Sequence, residues 1–352
     1  ALWASLQSST AEEEARIRER FHAASRRKEG EAAKLDKASK EGDGDEREDS
    51  ADGESSTTSS TAVVREEKVE EEKVRPELQR LVAKFSDSGV PSRDKKRAIE
   101  ETLSILSRMR GEALQRVVEN LVGKELMKAV CDKTERVRDA ALDALLIVTE
   151  SLIHIEPFLQ YLFPVISDRT LLMYEEVEDP TRPGQMIMPE DFDYTEKGEN
   201  LREKLLRLAH LVTVSSIRSS LPYLREIVDI CVSGLHDECA EVVVEAADFA
   251  FDLAKAVKKE VIKPFISEIV TVLGKVIRHK IAKVRVHGLH ALQVCIHKGA
   301  AELIPDFVGW TDPNMLNLME FYHPKLRRNT FALLIADSSS SVREVSCRLV
   351  YC

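Results

Sequence analysis

Asp132-Lys133-Thr134-Glu135-Arg136-Val137-Arg138-Asp139-Ala140-Ala141-Leu142-Asp143-Ala144-Leu145-Leu146 opens on an acid, places Val-Arg five and six residues later, and continues with apolar residues at helical spacing. The same phrase returns as Asp337-Ser338-Ser339-Ser340-Ser341-Val342-Arg343. A third copy has His279 in the acid's place, ahead of Val284-Arg285. A fourth keeps Asp237 and Val242 in step but has Val243 where the arginine belongs, and Leu201-Arg202 resumes the theme between the first copy and that one. Self-similarity on this scale points to stacked structural units before any single residue is weighed.

The intervals define one unit. Val242 and Val284 are 42 residues apart, Val284 and Val342 are 58, and Val137 and Val242 are 105. The longer two equal one unit plus roughly 16 residues and two units plus roughly 20, and a period of about 40–47 with two helices per unit is the HEAT/armadillo range. The acid ends the turn between paired helices and is placed to cap the second, where a carboxylate meets unpaired N–H groups and the positive end of the helix dipole. The valine packs inward. The arginine is long enough to reach an acid in a neighbouring unit and tie the two together.

The whole chain fits this reading. Its 352 residues are 43% apolar but only 5% aromatic, so Leu, Val, Ile and Ala must build the core, as in small-residue helix stacks. Cys131, Cys231, Cys239, Cys295, Cys347 and Cys352 form no CxxC pair and read as reduced cytosolic thiols. No window approaches a membrane span, and Ala1–Leu6 lacks the charged lead of a signal peptide. The first residue is not Met and the chain stops at Cys352 within a helical pattern, which reads as a fragment truncated inside a repeat. A net charge of −10 argues against a general nucleic-acid binder.

Residues 1–74 are poor in apolar side chains and rich in Glu, Lys, Ser and Asp, with a nearly all-acid, Gly and Ser run from Glu41 to Glu54. They cannot bury enough surface to offset their ordering entropy, so a disordered acidic tail is expected. The solenoid is expected over 75–352, starting with a short amphipathic helix that has Pro76 at its first position, where a missing N–H costs nothing. Asp94–Met109 aligns with Asp139–Ser151 at an offset of about 43, a degenerate first unit of the kind terminal repeats become. Residues 175–198 interrupt the pattern with Pro180, Pro183, Gly184, Pro189 and eight acids between Glu175 and Glu196. This loop reads as an insertion of the sort that collects on exposed faces of repeats. The alternative is a partner-binding flap anchored by Met186, Ile187, Met188, Phe192 and Tyr194.

No P-loop, GxGxxG, HExxH, GxSxG or kinase set is present. His287, His290 and His297, with Cys295 nearby, share a helical face, but structural zinc sites close four ligands from more than one element. They read as ordinary residues of a repeat helix, so no metal and no cofactor is expected. Glu175-Glu176 and Glu190-Asp191 have no histidine or nucleophile placed to use them. Lys275, Arg278, His279, Lys280, Lys283 and Arg285 cluster at one turn, and Lys325, Arg327 and Arg328 follow. Without interleaved aromatics they lack a base-stacking platform. Ion pairing between repeats, or contact with an acidic partner, is the expectation.

Val261-Ile262-Lys263-Pro264, His279-Lys280-Ile281-Ala282-Lys283-Val284-Arg285-Val286 and Ser341-Val342-Arg343-Glu344-Val345-Ser346-Cys347 resemble the axonemal dynein assembly factor five family of HEAT-repeat proteins. The acidic tail, the insertion and Val243 are not part of that resemblance. It implies a cytoplasmic, non-enzymatic factor that helps preassemble axonemal dynein arms, with dynein intermediate or heavy chains and chaperones as partners and no catalytic residues. The expected architecture is thus an all-α, HEAT/armadillo-like superhelix of about five to six helix pairs. It would bind protein partners and neither a membrane nor a small-molecule substrate. A regulatory or transport adaptor, of the phosphatase-scaffold or nuclear-transport-receptor type, is the alternative use of the same repeats. The motif residues are Asp132, Val137, Arg138, Leu201, Arg202, Asp237, Val242, Val284, Arg285, Asp337, Val342 and Arg343.

Overall fold

The structure, a computed structural model, describes residues 59–170, 172–173, 177–178, 186–187, 193–300, 322–323 and 328–350. It is an all-α solenoid of six helix pairs among those residues. The first pair is α1 (Ser59–Ser86) and α2 (Ser92–Leu106). The second is α3 (Gly111–Val117), a wide π-type turn over Val118–Val122, and α4 (Gly123–Ala129), answered by α5 (Glu135–Ser151). Next come α6 (Glu156–Thr170) with α7 (Glu199–Ser215). After the short α8 (Ile217–Ser220), α9 (Leu224–Leu235) pairs with α10 (Ala240–Ala256). The last two pairs are α11 (Lys259–Val276) with α12 (Ala282–Cys295), and α13 (Thr330–Ile335) with α14 (Ser340–Val350).

First helices stack on first helices and second on second. The second-helix row runs α2, α5, α7, α10, α12, α14, each touching the next, and α1, α4, α6, α9 and α11 form the other row. Between the rows lies one continuous apolar core from Leu78 to Leu349. The motif valines Val137, Val242, Val284 and Val342 and the equivalent Leu201 are all buried in it, and Phe163 and Phe249 are its largest fully enclosed side chains. Two buried threonine hydroxyls are satisfied within their own helices: Thr102 donates to the Ala98 carbonyl and Thr213 to that of Ala209, at 2.8 and 2.7 Å. Gly288 marks a close helix crossing, since a Cβ there would lie 2.7 Å from the Val276 side chain. Gly111, with φ of 61°, starts α3 in the left-handed region that favours glycine.

Two expectations change. The helix expected to begin at Pro76 begins at Ser59, and Pro76 lies inside it. The stretch Ala62–Arg75 is dense in Glu, Lys and Arg, and both Pro76 and Glu72, whose carbonyl the proline ring leaves unpaired, are exposed. The insertion is not wholly without regular structure. Leu172–Met173 (β1) pairs antiparallel with Asp193–Tyr194 (β4), and nested inside them Val177–Glu178 (β2) pairs with Met186–Ile187 (β3). Val177 faces Ile187 in the ladder, a match of β-branched residues. A third two-residue pairing joins Tyr322–His323 (β5) to Arg328–Asn329 (β6). These pairings fasten loops and add no sheet layer. Residues 1–58 of the acidic tail and most of 301–324 lie outside the described residues.

Candidate functional site

The turns between first and second helices line one edge of the solenoid, and the repeated motif builds each of them. Asp132, Asp237 and Asp337 each accept, through Oδ1, the N–H two residues on, at 2.8 Å from Thr134, Cys239 and Ser339. This is a side-chain turn that fixes the chain just before the helix. The helix caps themselves, Thr134 and Cys239, make no side-chain cap bond, so the acid holds the turn and not the helix end that the sequence suggested. Six residues after its acid, each arginine closes the turn from the other side. Arg138 Nη1 donates to the carbonyls of Asp132 and Lys133 at 3.0 and 3.2 Å, and Arg343 Nη1 to those of Asp337 and Ser338 at 2.6 and 3.0 Å.

The remaining edge of the guanidinium crosses to the next repeat. Arg202 meets Asp237 through Nε and Nη2 at 2.6 and 3.0 Å, both side chains almost wholly buried. Arg285 Nη2 reaches Asp337 at 2.8 Å, and Lys95, aligned with Arg138 in the first unit, reaches Asp132 at 3.0 Å. Arg138 donates two bonds of 2.7 Å to Glu196. Glu196 stands at the end of the insertion and also accepts from Arg169 and from the Gly198 N–H. Burial pushes its carboxyl up, but the bonds from Arg138, Arg169 and Gly198 outweigh that and hold it below the ordinary carboxylate range. Glu196 is therefore the acid of the third unit. Reading it as one more insertion acid overlooked a plain signal, since Glu196, Leu201 and Arg202 keep the five-and-six spacing of the other copies.

Four of the five steps between neighbouring pairs carry such a rung. The step from the fourth pair to the fifth has neither partner: Val243 replaces the arginine and His279 the acid. His279 still holds its turn, its Nδ1 accepting the Ile281 N–H at 3.2 Å, and Arg285 still clamps the carbonyls of His279 and Lys280.

The insertion is joined to this edge. The Arg202 guanidinium lies over the Tyr194 ring, 3.9 Å from its centroid, and the Tyr194 hydroxyl accepts the Glu238 N–H at 3.0 Å. Burial pushes this phenol up to about 12. Of the other proposed anchors, Met186 and Ile187 sit in β3, while Met188 and Phe192 lie outside the described residues. So do the acid pairs Glu175-Glu176 and Glu190-Asp191, and Lys325 and Arg327.

The row of second helices carries a further polar cluster that the sequence reading missed. His210 is buried between Glu245 (Nδ1 to Oε1, 2.9 Å) and Asp252 (Nε2 to Oδ2, 3.3 Å) and stacks on Phe249. Burial disfavours its charged form, yet the bonds to Asp252 and Glu245 prevail and raise its pKa to about 9. Nothing in the spacing marks His210, because its partners come from the next repeat. His287 binds Asp248 at 2.6 Å, while Cys295 faces the core and His297 is exposed. Among the described residues, no group of three or more His, Cys, Asp or Glu is placed to hold a metal. Nor is any described helix long and apolar enough to cross a membrane.

Fold and edge together define a helical-repeat solenoid. Residues 186–318 match the model of the family described as dynein axonemal assembly factor 5-like, TPR repeats, and over that segment the chain is similar to this family. TPR units run about 34 residues, whereas the 42-residue interval from Val242 to Val284, inside the matched segment, is nearer the HEAT length. No curated protein matches the chain. Among solved structures, one engineered protein shares 14% identity, covering 78% of this chain and 97% of its own, with a TM-score of 0.52. A second shares 15%, covering 78% and 57%, with a TM-score of 0.51. A designed armadillo repeat protein in complex with the peptide (KR)4 shares 13%, covering 78% and 98%, with a TM-score of 0.50. At these identities the likeness concerns the fold.

Proposed function

We propose that this chain is a non-enzymatic, cytoplasmic scaffold that binds protein partners along its solenoid during preassembly of axonemal dynein arms. The observation that carries this reading is the match of residues 186–318 to the dynein axonemal assembly factor 5-like family. The geometry supports it: the motif residues are spent on holding repeats in register, which leaves two long helix rows and a turn edge as recognition surface. Dynein intermediate or heavy chains and chaperones are the partners this reading names. The solenoid also suits a phosphatase scaffold or a transport receptor, and partner identity separates the three. The test is capture from ciliated-cell extract on the immobilised chain, read by quantitative mass spectrometry. Enrichment of dynein chains and chaperones is expected. Enrichment of phosphatase subunits or transport cargo without them would replace the dynein reading.

A further inference from the structure

We propose that the turn of the fifth helix pair is a docking site for an acidic, aliphatic segment of a partner protein. The proposal rests on the reading of the chain as a protein-binding scaffold and names one place where binding occurs. Its basis is the missing rung. At four steps the turn edge is neutralised internally, a cation of one repeat meeting a carboxylate of the next. At the fifth pair the acid is His279, and no arginine approaches from the fourth because Val243 stands there.

Arg285 is engaged with Asp337 and Arg278 with the Gly274 carbonyl, but three lysines of this turn are left without a carboxylate partner among the described residues. Lys275, Lys280 and Lys283 are exposed, and among the described residues none of them forms an ion pair. Lys275 lies close enough to buried His236 to disfavour its charged form, and Lys283 close enough to the exposed Glu241 of the preceding unit to favour its carboxylate, without an ion pair between them. Apolar side chains are exposed at the same edge: Ile281, between Lys280 and Lys283 in sequence, is 41% exposed, and Ile335, two residues before Asp337, is 43% exposed. The two turns are neighbours because Arg285, clamped to the carbonyls of His279 and Lys280, holds Asp337. Exposed isoleucines on the same edge as lysines that form no ion pair match a ligand with the opposite pattern, carboxylates flanking aliphatic side chains. An aromatic-free cationic surface is a poor stacking platform, so a protein segment fits better than nucleic acid.

The test is fluorescence anisotropy of a labelled peptide of alternating Glu-Leu pairs with the full chain. Saturable binding that weakens with added salt is expected. With up to about one exposed ion pair lost per lysine, K280E/K283E should weaken it about tenfold or more, and I281S severalfold. K124E/K133E, exposed lysines of the second pair, should leave it unchanged. All these side chains are at the surface, and unchanged helical circular dichroism verifies the fold of each variant. No binding by the wild type, equal loss in K124E/K133E, or no loss in K280E/K283E overturns the proposal. So does tighter binding of single-stranded RNA or duplex DNA through the same lysines. The extract capture separates this site from the functional reading. Dynein chains retained with no peptide binding sinks the site alone. Peptide binding at this turn with no dynein chains captured sinks the dynein reading alone.

Discussion

Replacing Arg202 by methionine is the sharpest perturbation of the ladder. Methionine keeps most of the apolar stem while deleting the guanidinium. Four hydrogen bonds go: two to Asp237 and one each to the carbonyls of Glu196 and Lys197. The Asp237 carboxylate, 3% exposed, is left with the Cys239 N–H as its remaining described donor. Removing one partner of a buried pair costs about 3–5 kcal/mol, because the other charge stays behind without compensation. For a chain of this size that corresponds to a fall of roughly 4–9 °C in Tm. Arg225, paired with Glu268 at the surface and 57% exposed, supplies the control. R225M should cost no more than about 1 kcal/mol. Urea unfolding followed by circular dichroism compares the two. Repeat arrays unfold as coupled neighbours, so R202M should also broaden the transition, its lesion falling at the boundary of the third and fourth pairs. If R202M and R225M lose the same stability within about 1 kcal/mol, the buried rung is not what couples these repeats.

Further outcomes follow from particular contacts. Because His210 has a folded pKa of about 9, raised from 6.5, its stabilisation is complete below pH 6.5 and fades as pH rises toward 9. Thermal melts should show that alkaline loss in the wild type and a flatter slope in H210Q. His236 works in the opposite direction: burial and Lys275 hold it near 4, so stability should fall as pH drops from 6.5 toward 4, and H236Q should lessen the fall. G288A forces a Cβ onto Val276 and should lower stability by about 1–3 kcal/mol, measured by urea midpoint. Installing the missing rung as V243R/H279D should recover stability that each single change loses, with a coupling of about 1 kcal/mol or more in a double-mutant cycle; additive effects would mean the fourth step cannot accept a rung.

The helix pairs were legible because their signal is local and periodic: the acid, the valine and the apolar stripe sit within one turn and one helix. Even the rung was foreseeable in kind, since an arginine that must also close its own turn has one edge left for the next repeat. The identity of its partner was not readable at the insertion, where proline and acid content hid Glu196. His210 with Glu245 and Asp252 was invisible for a different reason, being assembled only when two repeats stack. Pro76 misled because its preference for a helix start was weighed without the strong helix formers before it. The isoleucines of the fifth and sixth turns look like core residues in sequence, and only their exposure separates them from buried neighbours such as Ile277.

The most direct test of the account is binding between this chain and purified dynein intermediate- and heavy-chain fragments, measured by biolayer interferometry. The account predicts saturable binding by the folded chain that is weakened in R202M, whose repeat register is loosened. Absence of binding to every dynein fragment, with the chain's helical content intact, would contradict it.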